Sequence, residues 1–239
     1  MADGLELRGV DAFYGELQVL RGIDLAIRPG QGIAVVGRNG VGKTSLLRSI
    51  VNAFGIRHTG TILVDGFDVV GRQPDQIARL GVAFVPSDRR IFPLTVQENL
   101  QLAARGKAGW MDLAERALAH FPFLMNRMGQ KGDTLSGGEQ QALAIVRAVL
   151  MEPRYMLLDE PSEGLAPVVA TALIKGIRGL QEELSVGILL AERNLGVISA
   201  LCSEVRGLVK GTIVHSGSAA DFVHDVDLQL RLLTPSSDA

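Results

Sequence analysis

The chain has 239 residues, 47% of them hydrophobic, with 24 basic against 26 acidic side chains. That length buries a sizeable core in one large α/β domain or two smaller ones. A net charge of −2 offers no basic excess of the kind that tracks nucleic acid. The single cysteine, Cys202, excludes an internal disulfide framework and fits a reducing compartment.

The opening MADGLELRGV carries acids and has no apolar h-region, which reads against a secretory signal. No uncharged apolar run reaches the roughly 20 residues that span a bilayer. The longest candidate, GLAPVVATALI, ends at Lys175. A soluble, cytosolic protein is expected, with enough apolar surface for a docking face.

Runs of β type fall at Leu5–Val10, Gly32–Val36, Gly60–Val64, Val82–Val85, Tyr155–Leu158, Gly187–Ala191 and Val205–Val209, followed by Thr212–His215. Ile33–Val36 and Tyr155–Leu158 show no polar alternation, so both faces must be covered, as in parallel strands of an α/β sheet. Thr95–Phe123 and Gly138–Met151 read as helices. The expected architecture is an α/β core (1–90 and 155–239) interrupted by a helical lobe (91–154). The tail Thr234–Ala239 is polar and expected to fray. His58, His120, His215 and His224 are scattered without ligand spacing and read as ordinary surface or packing residues.

Directly after the first buried strand comes Gly37-Arg38-Asn39-Gly40-Val41-Gly42-Lys43-Thr44, which fits G-x-x-x-x-G-K-[ST] at every fixed position in a strand–loop–helix context. Its glycines let successive N–H groups turn inward as an anion nest, and the following helix adds its positive end. Lys43 suits the β- and γ-phosphates of a nucleotide, and the Thr44 hydroxyl suits Mg²⁺. The second buried strand ends in Asp159-Glu160-Pro161. Asp159 suits the same Mg²⁺, and Glu160 suits the activation of an attacking water. Between these motifs lies Leu135-Ser136-Gly137-Gly138-Glu139-Gln140-Gln141, a helix N-terminus with exposed donors.

LSGGEQQ resembles the signature of ATP-binding cassette (ABC) ATPases, and the three motifs stand in that family's order over nearly the whole chain. The resemblance implies an α/β P-loop nucleotide-binding core with an antiparallel β subdomain and an inserted α-helical lobe. It implies ATP and Mg²⁺, and a dimer of identical or paralogous cassettes in which Ser136, Gly137 and Gly138 of one subunit close on the γ-phosphate held by the other. Tyr14 stands where such cassettes stack an aromatic on adenine; the alternative is a core or edge-strand aromatic. Ser45 and Ser87 join the implied nucleotide contacts. Within the family, Ala78–Leu100, Phe121–Ala148 and Leu157–Pro167 are similar to the cassettes of branched-chain amino acid importers and the related urea and amide importers. Such cassettes lie on the cytoplasmic face of the inner membrane, docked on permease subunits and not on nucleic acid. Ile91-Phe92-Pro93-Leu94 is an apolar patch suited to a permease's coupling helix, or to packing the lobe on the core.

Two positions depart from the family pattern: Ser87 replaces the usual glutamine, and Arg193, in ILLAERNL, replaces the usual histidine. Serine is too short to span what glutamine spans, so a water or Asp88 would have to stand in. Arginine keeps its charge at every working pH and can hold phosphate bidentately, which makes it a candidate γ-phosphate sensor. The alternative is an outward-turned side chain paired with Glu192 or another surface acid. A nucleotide-gated module with feeble hydrolysis and a soluble cassette outside import stay open as other readings.

Overall fold

The computed structural model describes residues 4–104 and 106–234, so the polar tail lies outside the described residues beyond Thr234. In chain order, β1 (Leu5–Tyr14) and β2 (Leu17–Ile27) form a hairpin, and β3 (Gly32–Val36) leads to α1 (Lys43–Ile50). β4 (Ile56–Val64), β5 (Phe67–Asp68), α2 (Pro74–Arg79) and β6 (Val82–Val85) follow. Then come α3 (Val96–Ala104), α4 (Trp110–Ala119), α5 (Pro122–Met125), a 3₁₀ turn (Gly132–Thr134) and α6 (Gly137–Val149), with no strand among the described residues of this stretch. The chain continues through β7 (Tyr155–Asp159), α7 (Pro167–Leu184), β8 (Gly187–Ala191), α8 (Leu195–Leu201), β9 (Glu204–Val209), β10 (Thr212–Ser218), α9 (Ala219–His224) and α10 (Val226–Leu233).

Two sheets result: β2-β1-β4-β5, antiparallel, and β10-β9-β3-β8-β7-β6, parallel except for its β10 edge. Every residue of β3, β7 and β8 is buried. The period-2 alternation of a strand sends Ile33 and Val35 to one face, where α1 and the antiparallel sheet cover them, and Ala34 and Val36 to the other, under α6, α7 and α8. Continuous apolar runs without polar positions are what a doubly covered strand requires.

The sequence reading is revised at two places. The helix read over Thr95–Phe123 is broken: α3 stops at Ala104 and α4 starts at Trp110, because Gly106 (φ 71°) and Gly109 (φ 75°) turn left-handed between them. β2 was missed. Register shifts between Val10 and Ala12 opposite it, and a left-handed Gly22 (φ 53°), break the strict alternation that marks a strand. GLAPVVATALI opens α7, which begins at Pro167 and buries Leu173, Ile174, Gly176, Ile177 and Leu180, a stripe at helical spacing. None of the described helices is long and apolar enough to cross a membrane.

Candidate nucleotide site

The loop between β3 and α1 turns through Gly40 (φ 79°) and Gly42 (φ 115°), conformations that residues with a Cβ rarely adopt. Gly42 caps α1, so the helix aims its N-terminal N–H groups at the loop. Lys43 is buried, and its Nζ donates to the carbonyl oxygens of Gly37 (3.1 Å) and Arg38 (3.3 Å) while pairing with Glu160 Oε1 at 3.1 Å. The Lys43 ammonium is thus folded back over its own loop, where an anion's oxygens can replace those carbonyls.

β7 ends at Asp159, beside α1. Thr44 Oγ1 donates to Asp159 Oδ1 at 2.9 Å, whereas Asp159 Oδ2 is buried without a hydrogen-bond partner. Burial pushes the Asp159 carboxyl above its ordinary range, outweighing the Thr44 hydrogen bond. An orphaned buried carboxylate oxygen next to a threonine hydroxyl fits a hard cation that takes its remaining oxygens from phosphate and water.

Glu160 sits in a left-handed conformation (φ 46°), held by a hydrogen bond from its N–H to Ala191 O at 2.9 Å. Burial raises its carboxyl, but the Glu163 hydrogen bond, the Lys43 ammonium and the Arg193 guanidinium together hold it below the usual range. Glu163 moves the other way, raised first by that hydrogen bond to Glu160, then by its neighbour's charge and by burial.

β8 delivers Glu192 and Arg193 to the same end of the sheet, on diverging sides. The Glu192 side chain is buried and accepts from Ser162 Oγ (2.7 Å), Arg193 N (2.7 Å) and Asn194 N (3.1 Å). Arg193 is exposed, with Nη2 3.9 Å from Glu163 Oε1.

Residues 20–163 match the ABC transporter family. The chain belongs to the ABC transporter family. The cassette is 36% identical over 215 residues to the high-affinity branched-chain amino acid transport ATP-binding protein BraG of Pseudomonas aeruginosa, covering 88% of this chain and 91% of that one. It is 35% identical over 219 residues to the probable branched-chain amino acid transport ATP-binding protein LivF of Archaeoglobus fulgidus, covering 90% and 92%. Among solved structures it resembles the ATP-binding cassette MJ0796, in a dimeric post-hydrolysis state bound to ADP and Pi, with a TM-score of 0.79 at 22% identity over 90% of this chain and 98% of that one. It resembles cbiO1 of Clostridium perfringens, part of the cbiONQ transporter complex, with a TM-score of 0.80 at 24% identity over 96% and 94%.

In the cassette, Ser136 caps α6 by a capping box: its N–H and hydroxyl donate to Glu139 Oε2 at 2.9 and 2.7 Å. Glu139 is itself paired with Arg127 at 2.9 Å. A Cβ at Gly138 would stand 2.1 Å from Val169 Cγ1, so only glycine lets α7 approach here. A Cβ at Gly137 would stand 3.3 Å from the Arg89 guanidinium, which donates to Gln141 Oε1 at 3.1 Å. These neighbours of Ser136, Gly137 and Gly138 are distinct from those of the 37–44 loop. Among the described residues, no hydrogen bond or ion pair joins the two motifs within one cassette.

Tyr14 ends β1 half-buried, packed against the antiparallel core, with its hydroxyl 3.4 Å from Arg48 Nη1 of α1. Ser45 is half-buried in the first turn of α1, and Ser87 is exposed after β6. Asp88, considered as its stand-in, pairs instead with Arg90 at 3.1 Å. Of the partners named for an outward-turned Arg193, Glu192 or another surface acid, the structure supplies the second: Glu192 is committed to backbone N–H groups, and the exposed Glu163 stands 3.9 Å away.

Sequence reasoning passed over Glu163, Glu192 and Arg48 as site residues. Glu163 was visible as a third acid after Asp159-Glu160. Nothing in the linear pattern distinguishes a buried carboxylate cap such as Glu192 from a solvated one. Beside the site, a groove of about 680 Å³ is lined by Phe84, Val85, Pro86, Phe92, Leu102 and Met151 and edged by Arg89, Arg90 and Arg147. Arg147 lies 4.6 Å over the Phe92 ring. Phe92 and Leu94 are exposed, as the patch reading requires, while Ile91 packs on the core.

Proposed function

We propose that the cassette binds ATP with Mg²⁺ and hydrolyses it to drive import of branched-chain amino acids or related small amides through a membrane permease. The observation that carries the chemistry is the convergence of Lys43, Thr44, Asp159 and Glu160 at one end of the parallel sheet, beside the glycine loop. The two transport relatives named above support the solute class. We read residues 1–239 as one cassette, with its core at 1–90 and 155–239 and its helical lobe at 91–154.

The 37–44 loop, with the Arg38, Asn39 and Val41 backbone and the first turn of α1 through Ser45, cradles the phosphates. Thr44 and Asp159 would hold the Mg²⁺, which when bound neutralises phosphate charge. Lys43 exchanges its bonds to Gly37 O, Arg38 O and Glu160 for phosphate oxygens. That exchange frees the Glu160 carboxylate to take a proton from the water that attacks the γ-phosphorus, as the bond to the ADP oxygen breaks. Arg193 meets the γ-phosphate from β8, and Tyr14 meets the adenine. The signature serine and glycines, lying apart from the loop in their own chain, serve a second cassette in a head-to-tail dimer. The groove edged by Arg89, Arg90 and Arg147 receives the permease. The cassette then sits peripherally on the cytoplasmic face of the membrane.

Glu160→Gln tests the reading. It keeps the shape and removes the base, so ATP should still bind while phosphate release falls by about 10². On size-exclusion chromatography the variant should also hold a longer-lived dimer with ATP and Mg²⁺. Cells carrying it should lose uptake of labelled leucine. Parental turnover would remove Glu160 from its role, and parental uptake without turnover would remove import.

A further inference from the structure

Two loops leave the sheet side by side, one from β7 carrying Ser162 and Glu163, one from β8 carrying Arg193 and Asn194. Glu192 ties them together, since its buried carboxylate accepts from Ser162 Oγ, Arg193 N and Asn194 N at 2.7, 2.7 and 3.1 Å. Backbone and carboxylate bonds of this kind fix where both side chains start. They bring Glu163 Oε1 to 3.9 Å from Arg193 Nη2. Glu163 is anchored further by its own N–H, which donates to Glu160 O at 3.1 Å. The arginine expected to greet a γ-phosphate therefore already faces a carboxyl group of its own chain, four residues after Asp159, which also shares a hydrogen bond with the Glu160 side chain.

We propose that Glu163 is a latch for Arg193: a positioning residue that holds the guanidinium off the phosphate site until a triphosphate competes it away. The proposal rests on Arg193 as γ-phosphate sensor and names how that sensor is regulated. The balance of strengths makes the latch reversible. The side chains are 41% and 55% exposed, so the pair is screened by solvent and is worth only about a two- to fivefold bias. A γ-phosphate offers the planar guanidinium two parallel charge-assisted hydrogen bonds, roughly a ten- to hundredfold preference. ATP breaks the latch, and ADP, lacking that phosphate, leaves it closed. A sensor held shut for part of the time weakens apparent ATP affinity in proportion to the fraction held. Glu163 thus narrows the affinity gap between the two nucleotides while tying the release of Arg193 to the arrival of a γ-phosphate.

The test is a double-mutant cycle on the full chain, titrating ADP and the non-hydrolysable β,γ-imido analogue of ATP, each with Mg²⁺, by calorimetry. Glu163→Gln removes the charge at nearly constant shape on an exposed side chain. It should tighten the imido analogue about two- to fivefold and lower the KM for ATP by the same factor, with ADP unchanged. In an Arg193→Ala background the same substitution should change neither ligand. Equal tightening of ADP, or tightening that survives in Arg193→Ala, would show that Glu163 acts as a plain negative charge near phosphate and would overturn the latch. Unchanged or weaker analogue binding in Glu163→Gln would overturn it as well. The sensor reading has its own separate failure: an Arg193→Ala protein that binds the analogue and hydrolyses ATP like the parent.

Discussion

Replacing Glu192 by alanine removes a carboxylate that is 5% exposed and accepts three hydrogen bonds. Each bond to a charged acceptor stabilises by about 1.5–3 kcal/mol, and two of the donors here are backbone N–H groups. Summing them overshoots, because deleting the carboxylate also recovers several kcal/mol of its desolvation cost. The net loss is about 2–4 kcal/mol. For a chain of this length that lowers Tm by roughly 5–15 °C. Glu192→Gln retains one acceptor oxygen and the shape, and should lie between the parent and Glu192→Ala. Differential scanning calorimetry of the three proteins measures the shift. ATPase rates taken well below the lowest Tm report whether the β7 and β8 loops have come apart: they should fall in Glu192→Ala even where the protein is folded. A Tm within about 2 °C of the parent would refute the reasoning, since it would mean that water replaces the carboxylate at no cost.

Tyr14→Ala should weaken ATP by about 1–3 kcal/mol if the ring stacks on adenine, while inorganic triphosphate binds both proteins alike. An equal loss for triphosphate would leave Tyr14 as a packing residue braced on Arg48. Cys202 is buried and its thiol is pushed up to about 12 by burial and then by the Glu192 charge. Native protein at pH 8 should therefore take up a maleimide at least about a hundredfold more slowly than urea-unfolded protein, as followed by mass spectrometry; equal rates would place the thiol in solvent.

The phosphate loop, the Asp159-Glu160 strand end and the signature were legible in the sequence because each is a local device. A nest needs glycines at fixed spacing within one turn of chain, and the capping box of the signature needs a serine directly before its helix with Glu139 three residues on. A doubly covered strand shows as an unbroken apolar run, as in Ile33–Val36. The roles of Glu163, Glu192 and Arg48 were not legible, since each depends on a partner brought up by another element. Glu192 lies 30 positions from Ser162, and Arg48 lies 34 from Tyr14. No periodicity encodes such a separation; the order of strands in the sheet does. β8 lies between β3 and β7, so the end of ILLAERNL arrives between the phosphate loop and the Asp-Glu pair. Spacing alone marked the 37–44 loop as a candidate phosphate site. Tertiary structure decided that Glu192 is buried, that Asp159 keeps an unpartnered oxygen, and that Arg193 faces Glu163, because burial and charge pairing depend on what the fold packs against each group.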